Sequence, residues 1–125
     1  MKKAAADMVA EAKSRIENLD PDTVERELQD GDAVLVDIRD APELEADGAI
    51  PGSVHVPRGM LEFRADTTSP YHQTPLDPGT RVILHCASGG RSALAAQTLQ
   101  EMGYEDVAHL DGGIKAWKDA GKPTH

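Results

Sequence analysis

Short apolar runs alternate along this chain with segments whose apolar residues recur every three or four positions. The short runs have the pattern of strands, and they lie at residues 33–38, 54–56, 81–85 and 106–110. Segments with helical spacing lie near residues 21–30, 42–46, 91–102 and 114–117. Strands that alternate with helices predict an α/β fold with a mostly parallel central sheet and helices on both faces.

The first 19 residues carry an additional helical pattern. Its apolar members, spaced three or four apart, are Ala5, Met8, Ala12, Ile16 and Leu19. This spacing predicts an amphipathic helix over residues 4–18 that packs on the domain, with a partner-binding helix as the alternative. Asp20 and Pro21 are then suited to the N-cap and first turn of the next helix. We therefore divide the chain into an N-terminal helix, residues 1–19, and a domain, residues 20–125.

Residues 58–80 are the least regular part of the chain. A short helix is predicted near residues 59–64, and the rest is a loop that contains Pro70, Pro75 and Pro78. Long loops in compact domains often serve function, so Arg64, Tyr71 and His72 are candidates for a lid, with packing roles as the alternative.

Composition and charge exclude several classes of function. The net charge is −9, and residues 1–50 hold a balance of −8, so the chain is a poor candidate for binding nucleic acid. A single cysteine cannot form an internal disulfide or a cysteine-rich zinc site. Because no apolar run follows Lys2 and Lys3, we expect no signal peptide, no membrane span and a cytoplasmic protein.

The only cysteine stands at the end of a predicted strand, in the segment His85-Cys86-Ala87-Ser88-Gly89-Gly90-Arg91-Ser92. Sites in parallel α/β sheets lie at the carboxyl ends of strands. The loop amides and the helix N-terminus that follow favour a thiolate and a bound anion. Cys86 is therefore the candidate nucleophile, since a cysteine that only fills the core needs no Ser-Gly-Gly-Arg after it.

Two reactions use a thiolate that is surrounded by backbone amides. Cysteine phosphatases place five residues between the cysteine and an arginine, whereas four separate Cys86 from Arg91 here. A shorter loop makes a smaller ring of amides, which fits one sulfur atom better than a phosphate. A phosphatase also needs a general acid, and Asp66 or Asp77 could supply it, so this alternative stays open.

Four segments together resemble the single-domain rhodanese family of sulfurtransferases, over about residues 20–121. They are VLVDIR at 34–39, GAIPGSVHVP at 48–57, CASGGRS at 86–92 and LDGGIKAW at 110–117. The resemblance implies that Cys86 takes sulfur from a small anionic donor such as thiosulfate. The resulting persulfide, bound by the amides of Ala87, Ser88, Gly89, Gly90, Arg91 and Ser92, passes sulfur to a thiol or cyanide without a metal or cofactor. The position of Ala49 often holds a His in the family, and its replacement bears on local packing. Members that use thiosulfate often have a basic residue where this chain has Ala87, which leaves the donor open.

Charged residues near the loop have more than one interpretation. Arg91 either contacts the donor or braces the loop, and Arg58, after the 54–56 strand, is a candidate substrate contact. Arg39 is expected to pair with Glu43 or Glu45 in a structural role. The buried-strand histidines His55, His85 and His109 are interpreted as structural.

Alternative functions are a phosphatase or arsenate-reductase-like enzyme, a non-enzymatic interaction domain, and a relay module that exchanges sulfur with a protein. The acidic first 50 residues and the additional N-terminal helix motivate the interaction domain.

Overall fold

In the computed structural model, which describes residues 1–125, five strands and six helices follow one another along the chain. The strands are β1 (Glu17–Leu19), β2 (Val34–Asp37), β3 (Val54–His55), β4 (Val82–His85) and β5 (Val107–Leu110). The helices are α1 (Ala5–Lys13), α2 (Pro21–Asp30), α3 (Ala41–Asp47), α4 (Leu61–Ala65), α5 (Gly90–Glu101) and α6 (Gly113–Asp119). A 3₁₀ turn, Arg58–Met60, precedes α4.

All five strands are parallel and form one sheet in the order β1-β5-β4-β2-β3. Every residue of the two central strands β4 and β5 is buried. Leu84 of β4 lies in a core that includes residues of α4 and α5, and Ile83 lies in a second core that includes residues of α2 and α6. The predicted α/β fold with helices on both faces is therefore confirmed.

Helix α2 begins and ends where the sequence predicts. The Asp20 side chain accepts a hydrogen bond from the Thr23 amide at 2.8 Å, and Pro21 occupies the first turn. Gly31 ends the helix in a left-handed conformation, with φ of 75°.

The N-terminal segment is shorter as a helix than predicted. Helix α1 ends at Lys13, and residues 17–19 form strand β1 beside β5 instead of continuing the helix to residue 18. Pairing with β5 gives the backbone of these residues the hydrogen bonds that a further helical turn would have provided. The packing of α1 against α5 agrees with the expected packing role. A division of the chain at residue 20 stays a prediction, and residues 17–19 lie within the sheet.

The loop after α4 is attached to the domain at several points. Leu76 is fully buried, and its carbonyl lies 2.6 Å from Nε2 of His72. Arg64 donates to the Gln73 side chain, whereas Tyr71 is 62% exposed. Arg64 of α4 thus connects the helix to this loop, and His72 makes a contact within the loop.

A buried ion pair lies at the end of β2. The Arg39 guanidinium lies 2.8 Å from Oδ2 of Asp37, and both side chains are almost fully excluded from solvent. Arg39 also donates to the Gly48 carbonyl at 2.8 Å. Its expected pairing with Glu43 or Glu45 is wrong, because burial at the strand end places Asp37 within its reach. Burial disfavours the charged carboxylate of Asp37, but the hydrogen bonds from Arg39 outweigh this effect and the pKa of Asp37 is lowered.

No helix combines the length and the apolar character that crossing a bilayer requires.

Replacing Arg39 with methionine should leave Asp37 as a buried charge without its partner. We expect Arg39→Met to lower the free energy of unfolding by about 3–5 kcal/mol in urea titrations. Arg15→Met is the control, because Arg15 pairs with Glu11 in an exposed i,i+4 pair that contributes about 0.5 kcal/mol. Equal losses for the two variants would show that the buried pair does not hold the end of β2.

Candidate active site

Cys86 directly follows β4 at the carboxyl edge of the sheet, and its side chain is 1% exposed. The Sγ atom accepts hydrogen bonds from the amides of Gly89 at 3.2 Å and Ser92 at 3.4 Å. Gly89 has φ of 108°, a conformation that favours glycine, and it turns the loop into α5. These two amides and the N-terminus of α5 place partial positive charge next to the sulfur.

Four further amides of the loop have no acceptor in the protein. They belong to Ala87, Ser88, Gly90 and Arg91. Together with the amides of Gly89 and Ser92, they give the segment that follows Cys86 six backbone N–H groups, of which two donate to Sγ and four have no acceptor. Such a set binds an anion, and it is attached directly to the residue that carries the thiol.

Helix α6 fixes the direction in which this loop faces. The amides of Ile114 and Lys115 donate to the carbonyls of Cys86 at 2.9 Å and Ala87 at 3.1 Å. Gly113 has φ of 62°, and a Cβ atom there would lie 2.5 Å from the carbonyl oxygen of Ala87. The loop carbonyls are thus occupied by α6, and only a residue without a side chain permits this approach.

Arg91 forms a bidentate pair with Glu43 of α3, at 2.9 and 3.1 Å. The hydrogen bonds from Arg91 lower the pKa of Glu43, and the same bonds raise the pKa of Arg91. The pair joins the N-terminus of α5 to α3, which favours a bracing role through a carboxylate rather than through loop carbonyls. A direct contact between Arg91 and the donor stays a prediction.

Arg58 is not connected to the cysteine loop by any hydrogen bond. Its guanidinium lies 2.8 Å from the Glu62 carboxylate and 3.5 Å from the Thr98 hydroxyl. Its assignment as a substrate contact therefore also stays a prediction.

A chain of polar side chains runs behind the cysteine. Cys86 Sγ lies 3.5 Å from Oγ of Ser92, and that oxygen lies 2.8 Å from Nδ1 of His109. Nε2 of His109 lies 2.7 Å from Oδ1 of Asn18 on β1. The sequence predicts only a structural role for His109 and assigns no role to Asn18. The available signal was a polar residue inside the buried strand 107–110, whereas the helical interpretation of residues 4–18 concealed Asn18.

His85 is also completely buried. Its Nδ1 lies 3.2 Å from the Cys86 carbonyl, and its Nε2, which makes no hydrogen bond, lies 3.5 Å from Oδ2 of Asp37. Burial lowers the pKa of His85, so the ring is neutral near pH 7.

A pocket of about 270 Å³ adjoins the cysteine loop. Its lining residues are Asp47, Ala87, Ser88, Ile114, Lys115 and Lys118. Lys118 donates to the Asp47 carbonyl at 2.6 Å, whereas the exposed Lys115 side chain makes no ion pair or hydrogen bond. No group of three or more His, Cys, Asp or Glu side chains could hold a metal ion.

Adding one methyl group at Gly113 tests whether α6 shapes the cysteine loop. We expect Gly113→Ala to lower the free energy of unfolding by about 2–5 kcal/mol, because the methyl group overlaps the Ala87 carbonyl in a strained backbone conformation. Amide resonances of residues 87–92 should shift in ¹H–¹⁵N spectra.

Gly31→Ala is the matched control, since Gly31 has φ of 75° and nothing within 4 Å of the added methyl group. It should cost about 1–2 kcal/mol and leave the loop resonances unchanged. Unchanged loop resonances in Gly113→Ala would contradict the role assigned to α6.

Comparisons with known proteins agree on one family. The family model for the rhodanese-like domain matches residues 20–120. A sulfurtransferase from Allochromatium vinosum is 34% identical, over 86% of this chain and 94% of its own length. Two other curated relatives are longer, and the chain spans 53% and 60% of their lengths.

Two of the solved structures that resemble this chain cover nearly all of it. A Rhodopseudomonas palustris protein, described as of unknown function and a possible tyrosine phosphatase, is 45% identical with a TM-score of 0.93, covering 100% of this chain and 96% of its own. The polysulfide-sulfur transferase homodimer from Wolinella succinogenes is 32% identical with a TM-score of 0.78, covering 94% and 84%. The match over residues 20–120, together with a cysteine loop at the carboxyl edge of a parallel sheet, shows that the chain belongs to the rhodanese-like domain family.

Proposed function

We propose that this protein is a sulfurtransferase that carries sulfane sulfur as a persulfide on Cys86. Membership of the rhodanese-like family supports sulfur transfer in general, and the Allochromatium and Wolinella relatives are named for that activity. The observation that carries the proposal is the set of four amides without acceptors beside a thiol that already accepts two others.

In the first half-reaction, the Cys86 thiolate attacks the outer sulfur of thiosulfate. A bond forms between Sγ and that sulfur, the S–S bond of the donor breaks, and sulfite leaves with the electron pair. The amides of Gly89 and Ser92 stabilise the attacking thiolate. The amides of Ala87, Ser88, Gly90 and Arg91 are proposed to bind the negative terminal sulfur of the persulfide.

In the second half-reaction, an acceptor thiolate or cyanide attacks the terminal sulfur. The bond between this sulfur and Sγ breaks, and Sγ leaves as a thiolate that again accepts from Gly89 and Ser92. The products are a persulfide of the acceptor, or thiocyanate. Both steps need only the cysteine and the amides, so the proposal includes no metal or cofactor.

We propose only a chemical class for the natural sulfur donor and the natural sulfur acceptor. A small anionic sulfur donor fits this loop, which is rich in backbone N–H groups, and the free ammonium group of Lys115 beside it. Thiosulfate is the first candidate, and a protein that delivers or receives persulfide sulfur is the second. Arg58 stays a candidate contact for the donor, and a cytoplasmic location stays a prediction.

Sulfur loading of Cys86 is measured directly by mass spectrometry of the intact protein after incubation with thiosulfate or polysulfide. Wild type should gain one sulfur atom, which cyanide or a thiol then removes, and Cys86→Ser should gain none. A wild-type protein that gains no sulfur from any of these donors would contradict the proposal.

A phosphatase is the second candidate, because the Rhodopseudomonas structure is described as a possible tyrosine phosphatase. Its general acid would have to be protonated. The Asp66 carboxylate instead accepts from the hydroxyl and amide of Thr68, which lower its pKa. Asp77 accepts from the Gly79 amide. Neither carboxylate is arranged as an acid, so sulfur transfer is favoured, and hydrolysis of an aryl phosphate by wild type but not by Cys86→Ser would reverse this order.

Removing the charge of Lys115 tests whether the pocket attracts anions. We expect Lys115→Gln to lower kcat/KM for thiosulfate about two- to fivefold at low salt, because an exposed charge contributes up to about 1 kcal/mol. The loss should diminish above physiological ionic strength. Arg26→Gln removes the same charge from α2, away from the pocket, and should leave kcat/KM unchanged; equal losses in the two variants would exclude a local role for Lys115.

A further inference from the structure

Contacts link the side chains of Cys86, Ser92, His109 and Asn18 in a row. The contacts at the Asn18 end determine where each proton in this network lies. The Asn18 side-chain nitrogen donates to the carbonyls of Lys13 at 2.9 Å and Ile16 at 3.2 Å. Since carbonyls only accept, the amide cannot be turned around, and the Asn18 oxygen faces His109. His109 must therefore carry its proton on Nε2 to donate across the 2.7 Å contact.

The position of that proton fixes the Ser92 hydroxyl. A neutral imidazole with a proton on Nε2 has only a lone pair on Nδ1. The contact of 2.8 Å between Nδ1 and Oγ of Ser92 is then a hydrogen bond that the hydroxyl donates. The Gly89 carbonyl, 3.3 Å from the same oxygen, is a second and longer acceptor for this hydroxyl. A hydroxyl has one proton, so with either acceptor the oxygen of Ser92 presents lone pairs to the sulfur 3.5 Å away.

Hydrogen bonds of opposite direction consequently meet at the Sγ atom of Cys86. The amides of Gly89 and Ser92 donate to Sγ and favour the thiolate. The Ser92 hydroxyl oxygen can only accept from Sγ, and it therefore favours the thiol. Of all the polar groups in hydrogen-bond contact with Sγ, this hydroxyl is the one whose donor direction is set by side chains far away in the sequence.

We propose that Asn18 and His109 are positioning residues that hold the Ser92 hydroxyl proton away from Cys86, so that this hydroxyl does not donate to the attacking sulfur. This inference rests on the proposed function only in that Cys86 is the nucleophile.

The surroundings keep the His109 ring neutral. Burial lowers its pKa to about 4, although Asp111 acts in the opposite direction, and the Lys13 ammonium adds to the lowering. Lys13 and Asp111 pair with each other at 3.0 Å. On the cysteine side, the charged group is Arg91, which is paired with Glu43, and His85 is neutral.

Asn18→Ala should release the hydroxyl. Asn18 is exposed on the edge strand, so the substitution opens Nε2 of His109 to water. The ring can then carry its proton on Nδ1 and donate it to Oγ of Ser92. The hydroxyl proton is then shared between the neutral Gly89 carbonyl, 3.3 Å away, and the thiolate, which is the stronger acceptor because it is charged. Because hydrogen bonds to charged groups are strong, the midpoint of the pH profile for iodoacetamide alkylation should fall by about one pH unit.

The matched control is Glu17→Gln on the same strand, which leaves the Asn18 and His109 contacts in place and should not move the midpoint. A structural role alone would loosen the loop in Asn18→Ala and raise the midpoint, because the amide hydrogen bonds to Sγ would weaken. A midpoint that rises or stays constant overturns the proposal. Alkylation requires no sulfur donor, so its result is independent of whether Cys86 forms a persulfide.

Two further measurements keep the proposal testable if Asn18→Ala is poorly folded. The ¹⁵N shifts of His109 in wild type at pH 7 should show a proton on Nε2, and a proton on Nδ1 overturns the assignment. In Ser92→Ala the alkylation midpoint should not rise, because the hydroxyl does not donate to the sulfur. A rise of about one pH unit would show that it does, and would also overturn the proposal.

Discussion

The hydrogen bonds from α6 to the carbonyls of Cys86 and Ala87 are the contact on which the candidate site depends. A peptide group that is held by its carbonyl has its amide pointing to the opposite side. The amides of Ala87 and Ser88, which belong to the same peptide groups as these two carbonyls, therefore point away from α6. Gly113 makes this possible, because no other residue allows the backbone of α6 so close to the loop.

The groups that donate hydrogen bonds to the sulfur are backbone amides. Arg91 is engaged by Glu43, and Arg58 by Glu62, so neither guanidinium is free beside the sulfur. A ring of amides is fixed in place before the reaction and needs no reorganisation when charge appears on the terminal sulfur. In the proposed mechanism the same amides serve both half-reactions, since the negative charge would lie on Sγ in one state and on the attached sulfur in the other.

The sequence was sufficient for the features that depend on local pattern. Apolar periodicity predicted four of the five strands, and the Asp20-Pro21 pair predicted the start of α2. The position of Cys86 between a strand and a helix placed the candidate site at the sheet edge.

Contacts between residues distant in sequence were not predictable in the same way. Strand β1 has three residues and one buried side chain, so its pattern is too short to separate from a helix. Arg91 reaches Glu43 across 48 positions, and His109 reaches Asn18 across 91. Arg39 pairs with Asp37 rather than with the nearby glutamates, because Arg39 and Asp37 are buried together at the end of β2. Burial at that point is a property of the assembled sheet.

The central claim is that loop amides hold the terminal sulfur of a Cys86 persulfide. The most direct measurement compares ¹H–¹⁵N spectra of the protein before and after loading with thiosulfate, and again after removal of the sulfur with cyanide. The amides of Ala87, Ser88, Gly90 and Arg91 should move downfield and exchange more slowly only in the loaded protein. A loaded protein in which these four resonances do not change would contradict the claim.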